Sequence, residues 1–415
     1  MTNVTTESSD GGEATQSGGG TTGITGETSG SETDAPQLDP DSVDILFVID
    51  NSGTMSEEQA QVNEEIEALI DPLIEAGLSL RIGITTTDAG NPQCSKASTT
   101  PENGALVLSS CLERVALGDF DFDGTDPPID GAPSCTDYCG LGDSELQVEP
   151  TATAEDPTPA PRPWVEVEGA DSNVGEVGVV NALRCFLPMG VNGCGFESPL
   201  EAMHKALLRS DVAGEVNFGF LREEARLVIV MVTDETDCSY NESYKDIFQT
   251  NKVFWNSPDD PKPSSAVCWR AGVSCVGSPP NRECFAENHD ISGSSGASDS
   301  SAVLHPLSRY TDLLTELAAS KGSASAVELH LIAGVPEGYA DGASIEYSEG
   351  SSPEFVDNFG IGPGCVSAVL GGAVPSVRER EVAEALAGGG RPVYSICASS
   401  YVPAFDAIVA SILDE

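Results

Sequence analysis

Apolar runs that end at polar turns recur along this chain, and the first clear one leads into Asp50. Residues 43–49 are largely apolar or β-favouring and do not alternate with polar positions, which is typical of a strand buried on both faces of a parallel sheet. Turn formers follow at residues 51–53. Ser56 and the two glutamates after it predict an N-cap and a helix over about residues 56–75.

Strands and helices alternate along the rest of the chain. Apolar runs predict strands at residues 78–87, 226–232, 326–333 and 392–396, with a possible short strand at 104–109. Helical periodicity predicts helices at residues 197–209, 303–320, 376–387 and 402–413, and residues 181–186 form a short helix or strand. This alternation predicts an α/β fold with a doubly wound, mostly parallel central sheet flanked by helices.

Three segments depart from this rhythm. Residues 1–41 are rich in Gly, Ser and Thr, so we expect a disordered tether in front of one domain at residues 42–415. Two long cysteine-containing insertions are expected within that domain. Residues 112–173 lack hydrophobic periodicity and should lie on the surface. Residues 239–300 carry aromatic side chains that either pack against the domain or form a contact surface: Tyr240, Tyr244, Phe248, Phe254, Trp255 and Trp269.

The chain is strongly acidic, with 67 Asp and Glu against 19 Lys and Arg and a formal charge of −48. Phosphate backbones and anionic lipid surfaces would repel such a protein, which argues against binding to nucleic acid or binding to membranes through basic residues. A solvated acidic surface also suits secretion or a saline habitat. The charge therefore excludes some partners without identifying one.

Twelve cysteines with no C-x-x-C pair and four histidines predict disulfides rather than zinc, and hence an oxidising compartment. Spacing does not determine connectivity. The pairs that we expect are Cys94 with Cys111, Cys135 with Cys139, Cys185 with Cys194, Cys238 with Cys268, Cys275 with Cys284, and Cys365 with Cys397.

No apolar run is long enough to span a bilayer, and no signal peptide is evident at Met1. The cysteine content nevertheless favours export. The residue 1–41 tether resembles the segment that follows the lipidated cysteine of bacterial lipoproteins, so we expect the native start to lie upstream or to have been trimmed. The expected location is secreted or in the outer cell envelope, with a lipid anchor upstream of the tether as the only membrane contact.

The turn after the first strand carries Asp50, Ser52 and Thr54 on one loop. Open α/β sheets place their ligand sites at the carboxyl ends of strands, and three oxygen side chains at alternate positions suit a hard cation such as Mg²⁺ or Ca²⁺. A serine-rich turn without metal is the alternative. The run from Asp50 to Thr54 resembles the Asp-x-Ser-x-Ser/Thr signature of the metal-ion-dependent adhesion site in von Willebrand factor type A (VWA) domains.

The resemblance implies a VWA fold, which is Rossmann-like, and two further ligand loops. One family loop supplies a threonine, and the matching position here is Glu197, which puts an extra anionic oxygen into the ligand shell. Glu197 could instead be a first-turn acid of the following helix. The third family motif follows the strand at residues 226–232 and implies Asp234 as a ligand, with Asp237 in reserve and more in keeping with a loop acid.

A possible second calcium loop lies in the first insertion. Asp119, Asp121 and Asp123 are followed by Gly124, and Asp130 occupies the twelfth position, as in an EF-hand loop. The surroundings differ from an EF-hand, because no flanking helices are evident, Asp126 occupies an apolar position, and Asp replaces Glu at the twelfth position. In so acidic a chain the spacing can also arise by chance.

The predicted function is that of an extracellular, metal-dependent binding or adhesion module that engages a protein or polysaccharide. The alternative is a structural cell-envelope protein in which the divalent cation only stabilises the fold. Hydrolase, nucleotide-binding and zinc-protease motifs are absent from the sequence, and its four histidines lie in no motif. We therefore do not expect an enzyme.

Overall fold

The computed structural model describes residues 38–94, 100–125, 127–350 and 352–414. Most of the predicted tether, residues 1–37, lies outside them. Within the described residues the strands are β1 (Ser42–Ile49), β2 (Ser79–Thr86), β3 (Asp121–Phe122), β4 (Ile129–Asp130), β5 (Trp164–Glu168), β6 (Asp171–Ser172), β7 (Arg226–Val232), β8 (Val273–Val276), β9 (Glu283–Ala286), β10 (Val327–Ala333), β11 (Cys365–Ser367), β12 (Gly371–Ala373) and β13 (Val393–Ser395).

Helices fill most of the connections between these strands. They are α1 (Ser56–Glu65), α2 (Glu67–Glu75), α3 (Cys111–Leu117), α4 (Pro133–Thr136), α5 (Val179–Phe186), α6 (Pro199–Ser210), α7 (Ala266–Gly272), α8 (Ser308–Ser320), α9 (Pro353–Phe359), α10 (Arg378–Leu386) and α11 (Val402–Leu413). In the described part of the chain, none of them has the length and apolar character to cross a membrane.

A seven-stranded sheet in the order β13-β10-β7-β1-β2-β5-β6 forms the centre. The strands from β13 to β2 are parallel, whereas β5 and β6 are antiparallel additions at one edge. From β1 the chain first adds strands on one side and then returns to add β7, β10 and β13 on the other. The winding therefore reverses between β1 and β7, which is where open α/β sheets form ligand crevices.

Both faces of the sheet are covered, as the unbroken apolar pattern of β1 predicts. Its alternate side chains enter two different cores: Phe47 packs on the side of α2 and α11, and Leu46 packs on the side of α6 and α8. The predicted α/β architecture with a mostly parallel central sheet is confirmed. Helix bounds shift by a few residues, and the helix predicted at residues 56–75 is two helices that meet at Ile66.

The predicted strand at residues 104–109 is wrong. This segment is irregular, because Asn217 accepts a hydrogen bond from the Leu106 N–H and anchors it beside α6. The segment makes one main-chain hydrogen bond to β2, from the Val107 N–H to Ile84 O at 2.9 Å. Residues 80–83 of β2 pair instead with β5, which lies in the first insertion. Trp164 of β5 is fully buried, so this insertion contributes to the core instead of lying only on the surface.

Six disulfides join all twelve cysteines. Three predicted pairs are confirmed: Cys238–Cys268, Cys275–Cys284 and Cys365–Cys397. The other three predicted pairs are wrong, and the structure contains Cys94–Cys194, Cys111–Cys135 and Cys139–Cys185 in their place. Local spacing misled the prediction, because the fold brings the loop after β2 against the loop before α6, a separation of 100 residues.

The aromatic side chains of the second insertion mostly pack inward. Phe248 is fully buried, and Phe254, Trp255 and Trp269 are each at most 7% exposed. Phe248 makes edge-to-face contacts with Phe196 and Tyr240. Of the two uses considered for these residues, packing against the domain is the one observed.

Candidate metal centre

Three loops meet where the sheet reverses its winding. The Asp50 N–H donates to Val232 O at 2.9 Å, which aligns the ends of β1 and β7. The loop before α6 joins them, since the Gly193 N–H donates to Asn51 O at 2.8 Å. The Cys238 N–H, in the loop after β7, donates to Glu197 O at 2.6 Å. The motif loops identified in the sequence are therefore neighbours.

Asp50 is fully buried at the centre of this region. Its Oδ1 accepts a hydrogen bond from the Ser52 N–H at 2.8 Å, and its Oδ2 accepts one from the Thr233 hydroxyl at 2.6 Å. Burial raises the pKa of Asp50, and these hydrogen bonds oppose the rise. The buried Ser52 hydroxyl has no partner, whereas Thr54 is the exposed member of the motif.

Asp234 lies across from this loop, directly after β7. It is buried, and its Oδ1 has no hydrogen-bond partner. Burial raises the pKa of Asp234 to about 7; the negative charge of Asp50 adds to the rise, and a hydrogen bond from the Thr54 hydroxyl opposes it. Its main-chain oxygen accepts from the Val374 N–H at 2.8 Å. Asp234 and Thr54 are thus brought together.

Glu197 points into the same region. The helix that follows it, α6, begins only at Pro199, so Glu197 is not a first-turn acid. Its Oε2 accepts a hydrogen bond from the Thr87 hydroxyl, and its buried Oε1 has no partner. Burial raises the pKa of Glu197 well above its usual range, and the charges of Asp50 and Asp88 raise it further.

Three more buried carboxyls surround this set, and sequence reasoning missed them. Burial raises the pKa of Glu58 to about 9 and that of Asp88 to about 6, with nearby carboxylates adding to each shift. Burial also raises the pKa of Glu235 well above its usual range, and the negative charges of Asp234 and Asp50 raise it further. The sequence feature that could have pointed to Glu235 is its position directly after Asp234. Glu58 was interpreted only as a first-turn acid.

No ion pair neutralises these six carboxyls among the described residues. Two other buried acids have a guanidinium partner: Asp44 bonds to Arg222 at 2.8 Å, and Asp237 bonds to Arg378 at 2.9 Å. The Arg378 pairing leaves Asp237 as a structural loop acid. No such partner is found among the described residues for Asp50, Glu58, Asp88, Glu197, Asp234 and Glu235.

This donor set fits a hard cation. The described residues contain no group of three or more His, Cys, Asp or Glu side chains already spaced to hold a metal ion. The candidate set relies on hydroxyls as well, and its unpartnered oxygens are all buried: Ser52 Oγ, Glu197 Oε1 and Asp234 Oδ1. Buried anions and lone polar oxygens are costly unless a cation or proton compensates them, and oxygen ligands of this kind suit Mg²⁺ or Ca²⁺.

The surrounding structure restrains the loops. Cys94–Cys194 ties the loop after β2 to the loop before α6, and Cys238–Cys268 anchors the loop after β7. Phe122 packs so closely over Gly53 that a Cβ there would lie 2.4 Å from its ring. The first insertion thereby covers one side of the Asp50 loop.

The possible second calcium loop has a different form from an EF-hand. Asp121 in β3 pairs directly with Asp130 in β4 in an antiparallel hairpin. Asp121, Asp123 and Asp130 are exposed and Asp119 is half-buried, while Asp126 lies outside the described residues. The Asp130 carboxylate accepts a hydrogen bond from the Ala132 N–H at 3.1 Å. A calcium loop here stays a prediction.

No protein-family model matches the chain, and no curated protein matches it in sequence. The site is therefore interpreted from its own geometry and chemistry.

Proposed function

We propose that this chain is an extracellular VWA-type binding module that holds a divalent cation, Mg²⁺ or Ca²⁺, at the loops around Asp50. One observation carries the proposal: three loops that meet where the winding reverses carry unpartnered buried oxygens, and among the described residues no basic side chain forms an ion pair with their carboxyls. The cation ligands would be Asp50, Ser52, Thr54, Glu197 and Asp234.

The strand order supports a VWA-type fold. Counting only the main strands along the chain (β1, β2, β5, β7, β10, β13), the order is 3-2-1-4-5-6, the common order of doubly wound dinucleotide-binding sheets. The third strand is the antiparallel one. This arrangement, combined with the Asp-x-Ser-x-Thr loop at the end of the first strand, favours the VWA type over other doubly wound folds.

Each ligand residue would have a distinct task. Asp50 is aligned by Ser52 and Thr233, so its position does not depend on the cation. Glu197 and Asp234 supply charge from the two other loops. A bound cation would supply a positive centre that accepts an anionic oxygen from a partner. Thr54 is exposed, so the partner's acidic group, on a protein or polysaccharide, would approach from its side.

The proposed location follows from the cysteines. Six disulfides fit an extracellular or otherwise oxidising compartment. Secretion as a lipoprotein of the cell envelope is the further proposal, and it rests on the resemblance of residues 1–41 to a lipoprotein tether.

A second candidate function is a structural protein in which the cation braces the fold. It is favoured by Glu197, which takes the place of a threonine and puts a buried carboxylate beside Asp50. More negative charge around the cation leaves less attraction for an anionic partner. Both candidates require the cation, and they differ in whether a coordination position stays open.

Thermal unfolding tests the cation site. The parent protein and Asp50→Asn are melted in EDTA and then with Mg²⁺, Ca²⁺ or Mn²⁺, with the exposed Asp246→Asn as the matched control. A cation at a hundredfold excess over Kd stabilises the folded state by about 2.7 kcal/mol. We expect this response in the parent and control only. Asp50→Asn should melt no lower than the parent in EDTA, because it removes one of the crowded charges. An equal metal response in Asp50→Asn would refute the site.

Water proton relaxation with bound Mn²⁺ separates the two candidate functions. A binding module keeps a coordination position open, so exchanging water should enhance relaxation strongly. A brace encloses the ion and should give little enhancement. Glu197→Thr serves as the comparison: in a brace, loss of this ligand should turn a weak enhancement into a strong one, whereas in a module the enhancement should be strong both before and after the change.

A further inference from the structure

Two Asn-Gly pairs occur in the chain, Asn103-Gly104 and Asn192-Gly193. In such a pair the main-chain nitrogen of the glycine can attack the side-chain carbonyl carbon of the asparagine, because a glycine has no Cβ to obstruct the approach. The attack requires that the glycine N–H is not already held in a hydrogen bond. The fold treats the two pairs differently in this respect.

Asn103 and Gly104 form the tip of a tight turn. The Ala105 N–H donates to Glu102 O at 2.9 Å across the turn, and both central residues have a positive φ, 53° at Asn103 and 78° at Gly104, as in a type I′ turn. The turn bond uses the N–H of the fourth residue. The N–H of Gly104, the third residue, therefore has no hydrogen-bond partner in the described part of the chain.

The other pair is restrained. The Gly193 N–H donates to Asn51 O at 2.8 Å, and a Cβ at Gly193 would lie 2.2 Å from the Asn51 side chain. An attack by this nitrogen on Asn192 would break the hydrogen bond and displace a packed loop. The folded structure thus protects Asn192 and leaves Asn103 open to the reaction.

The side chain of Asn103 is also polarised for attack. The Lys205 ammonium, on α6, donates to Asn103 Oδ1 at 2.7 Å and lies farther, at 3.9 Å, from the Glu201 carboxylate. As a nitrogen adds to the amide carbon, negative charge develops on Oδ1, and a fixed cationic donor stabilises that charge. Asn103 is half-buried, so water can reach the product.

We propose that Asn103 is a site of spontaneous deamidation in the folded protein, activated by Lys205. In the first step a bond forms between Gly104 N and Asn103 Cγ, the bond from Cγ to the amide nitrogen breaks, and ammonia leaves with the proton lost by Gly104 N. In the second step water opens the resulting succinimide at one of its two carbonyl carbons, which gives aspartate or isoaspartate. No oxidant or reductant takes part.

The products would change a turn that holds its neighbours in place. The Asn103 N–H donates to Asp88 O at 3.0 Å, and Gly104 O accepts from Asn217 Nδ2 at 2.9 Å. Aspartate keeps this main chain and gives Lys205 a carboxylate partner. Isoaspartate routes the main chain through the side chain and so lengthens the turn. The modification would therefore act on the loop that follows β2.

Peptide mapping by mass spectrometry tests this site on the full chain with its disulfides intact. The protein is incubated in mildly alkaline buffer, beside a reduced and urea-unfolded sample in which both pairs are free to react. We expect both asparagines to convert in the unfolded sample and Asn103 alone to convert in the folded protein. Conversion of Asn192 as fast as that of Asn103 in the folded protein overturns the proposal. So does an unreacted Asn103 when the unfolded sample has converted.

Variants at Lys205 test the activation. Lys205→Met should slow the conversion of Asn103 about tenfold, the change in rate that corresponds to one hydrogen bond from a charged donor. Lys205→Arg keeps a cationic donor and should react nearly as fast as the parent. The exposed Lys245→Met controls for net charge. A loosened fold would also release Asn192, so low conversion there shows that each variant is folded. Equal conversion of Asn103 in Lys205→Met and Lys245→Met overturns the role of Lys205.

Discussion

Buried acidic residues in this protein differ in how their charge is compensated. Asp44 and Asp237 each contact an arginine, while the candidate ligands have no such partner among the described residues. Glu379, in the first turn of α10, belongs to neither group. The Ser376 hydroxyl donates to its Oε2 at 3.3 Å, and its buried Oε1 has no partner. Burial and, to a lesser extent, the negative charge of Asp237 raise the pKa of Glu379 to about 8. The positive charge of the adjacent Arg378 opposes this rise.

Glu379→Gln should therefore stabilise the protein in a pH-dependent way. The folded pKa of Glu379 lies above its usual value of 4.5, so the folded state holds this proton more tightly than the unfolded state. The contribution of Glu379 to the parent's stability is therefore fully present below about pH 4.5 and is lost as pH rises to about 8. A difference of one between the folded and unfolded pKa corresponds to about 1.4 kcal/mol of stability. Urea unfolding should show the variant gaining a few kcal/mol over the parent between pH 5 and 8. The exposed Glu316→Gln controls for surface charge, and a pH-independent difference for Glu379→Gln would contradict this assignment.

The turn directly after β10 helps to position Asp234, one of the candidate ligands. Gly334 follows this strand and packs so closely that a Cβ would lie 1.8 Å from Val374 O. The N–H of Val374 donates to Asp234 O. The absence of a side chain at Gly334 thus lets the segment after β12 reach the loop after β7.

Gly334→Ala should destabilise the domain by about 1–3 kcal/mol or more, the range for overpacking. It should also reduce the cation-induced rise in melting temperature, because the Asp234 loop moves with the displaced segment. Gly140→Ala is the matched control, since a Cβ there meets no atom within 4 Å. Thermal melts with and without Ca²⁺ check both effects. Unchanged stability of Gly334→Ala would mean that the contact is relieved locally.

Individual elements show how far the pattern of residues predicted the fold. β1, β7, β10 and α11 were recognised because long apolar runs and helical periodicity reflect burial directly. β5 was missed, although its Trp-Val-Glu-Val-Glu run alternates as a half-buried strand does, because it lies within a segment rich in proline and acid. The strand predicted at residues 104–109 failed because Asn217, distant in sequence, holds that segment as a loop.

At the scale of the whole molecule, Cys94–Cys194 connects the loop after β2 to the loop before α6. It closes a loop of 100 residues. Replacing both cysteines by serine should lower stability by up to about 4.7 kcal/mol in the chain-entropy model. The double replacement at Cys275 and Cys284, which close a loop of only nine residues, should cost less. Guanidinium unfolding measures both losses. A larger loss for the short loop would show that native contacts around that disulfide outweigh chain entropy.

The sequence by itself determined the α/β alternation and the mostly parallel sheet, because local burial patterns reflect them directly. Turn chemistry at the end of the first strand indicated Asp50, Ser52 and Thr54 as candidate ligands. Glu197 and Asp234 were candidates through the resemblance to VWA domains, and three of the six expected disulfides were correct although spacing does not determine connectivity. Only the tertiary structure decided that the ligand loops are neighbours, that the buried carboxyls of Glu58, Asp88 and Glu235 lie beside them, and that Asp237 is paired with Arg378. The reason is physical: burial and charge coupling depend on distances between residues far apart in sequence, which residue spacing does not encode.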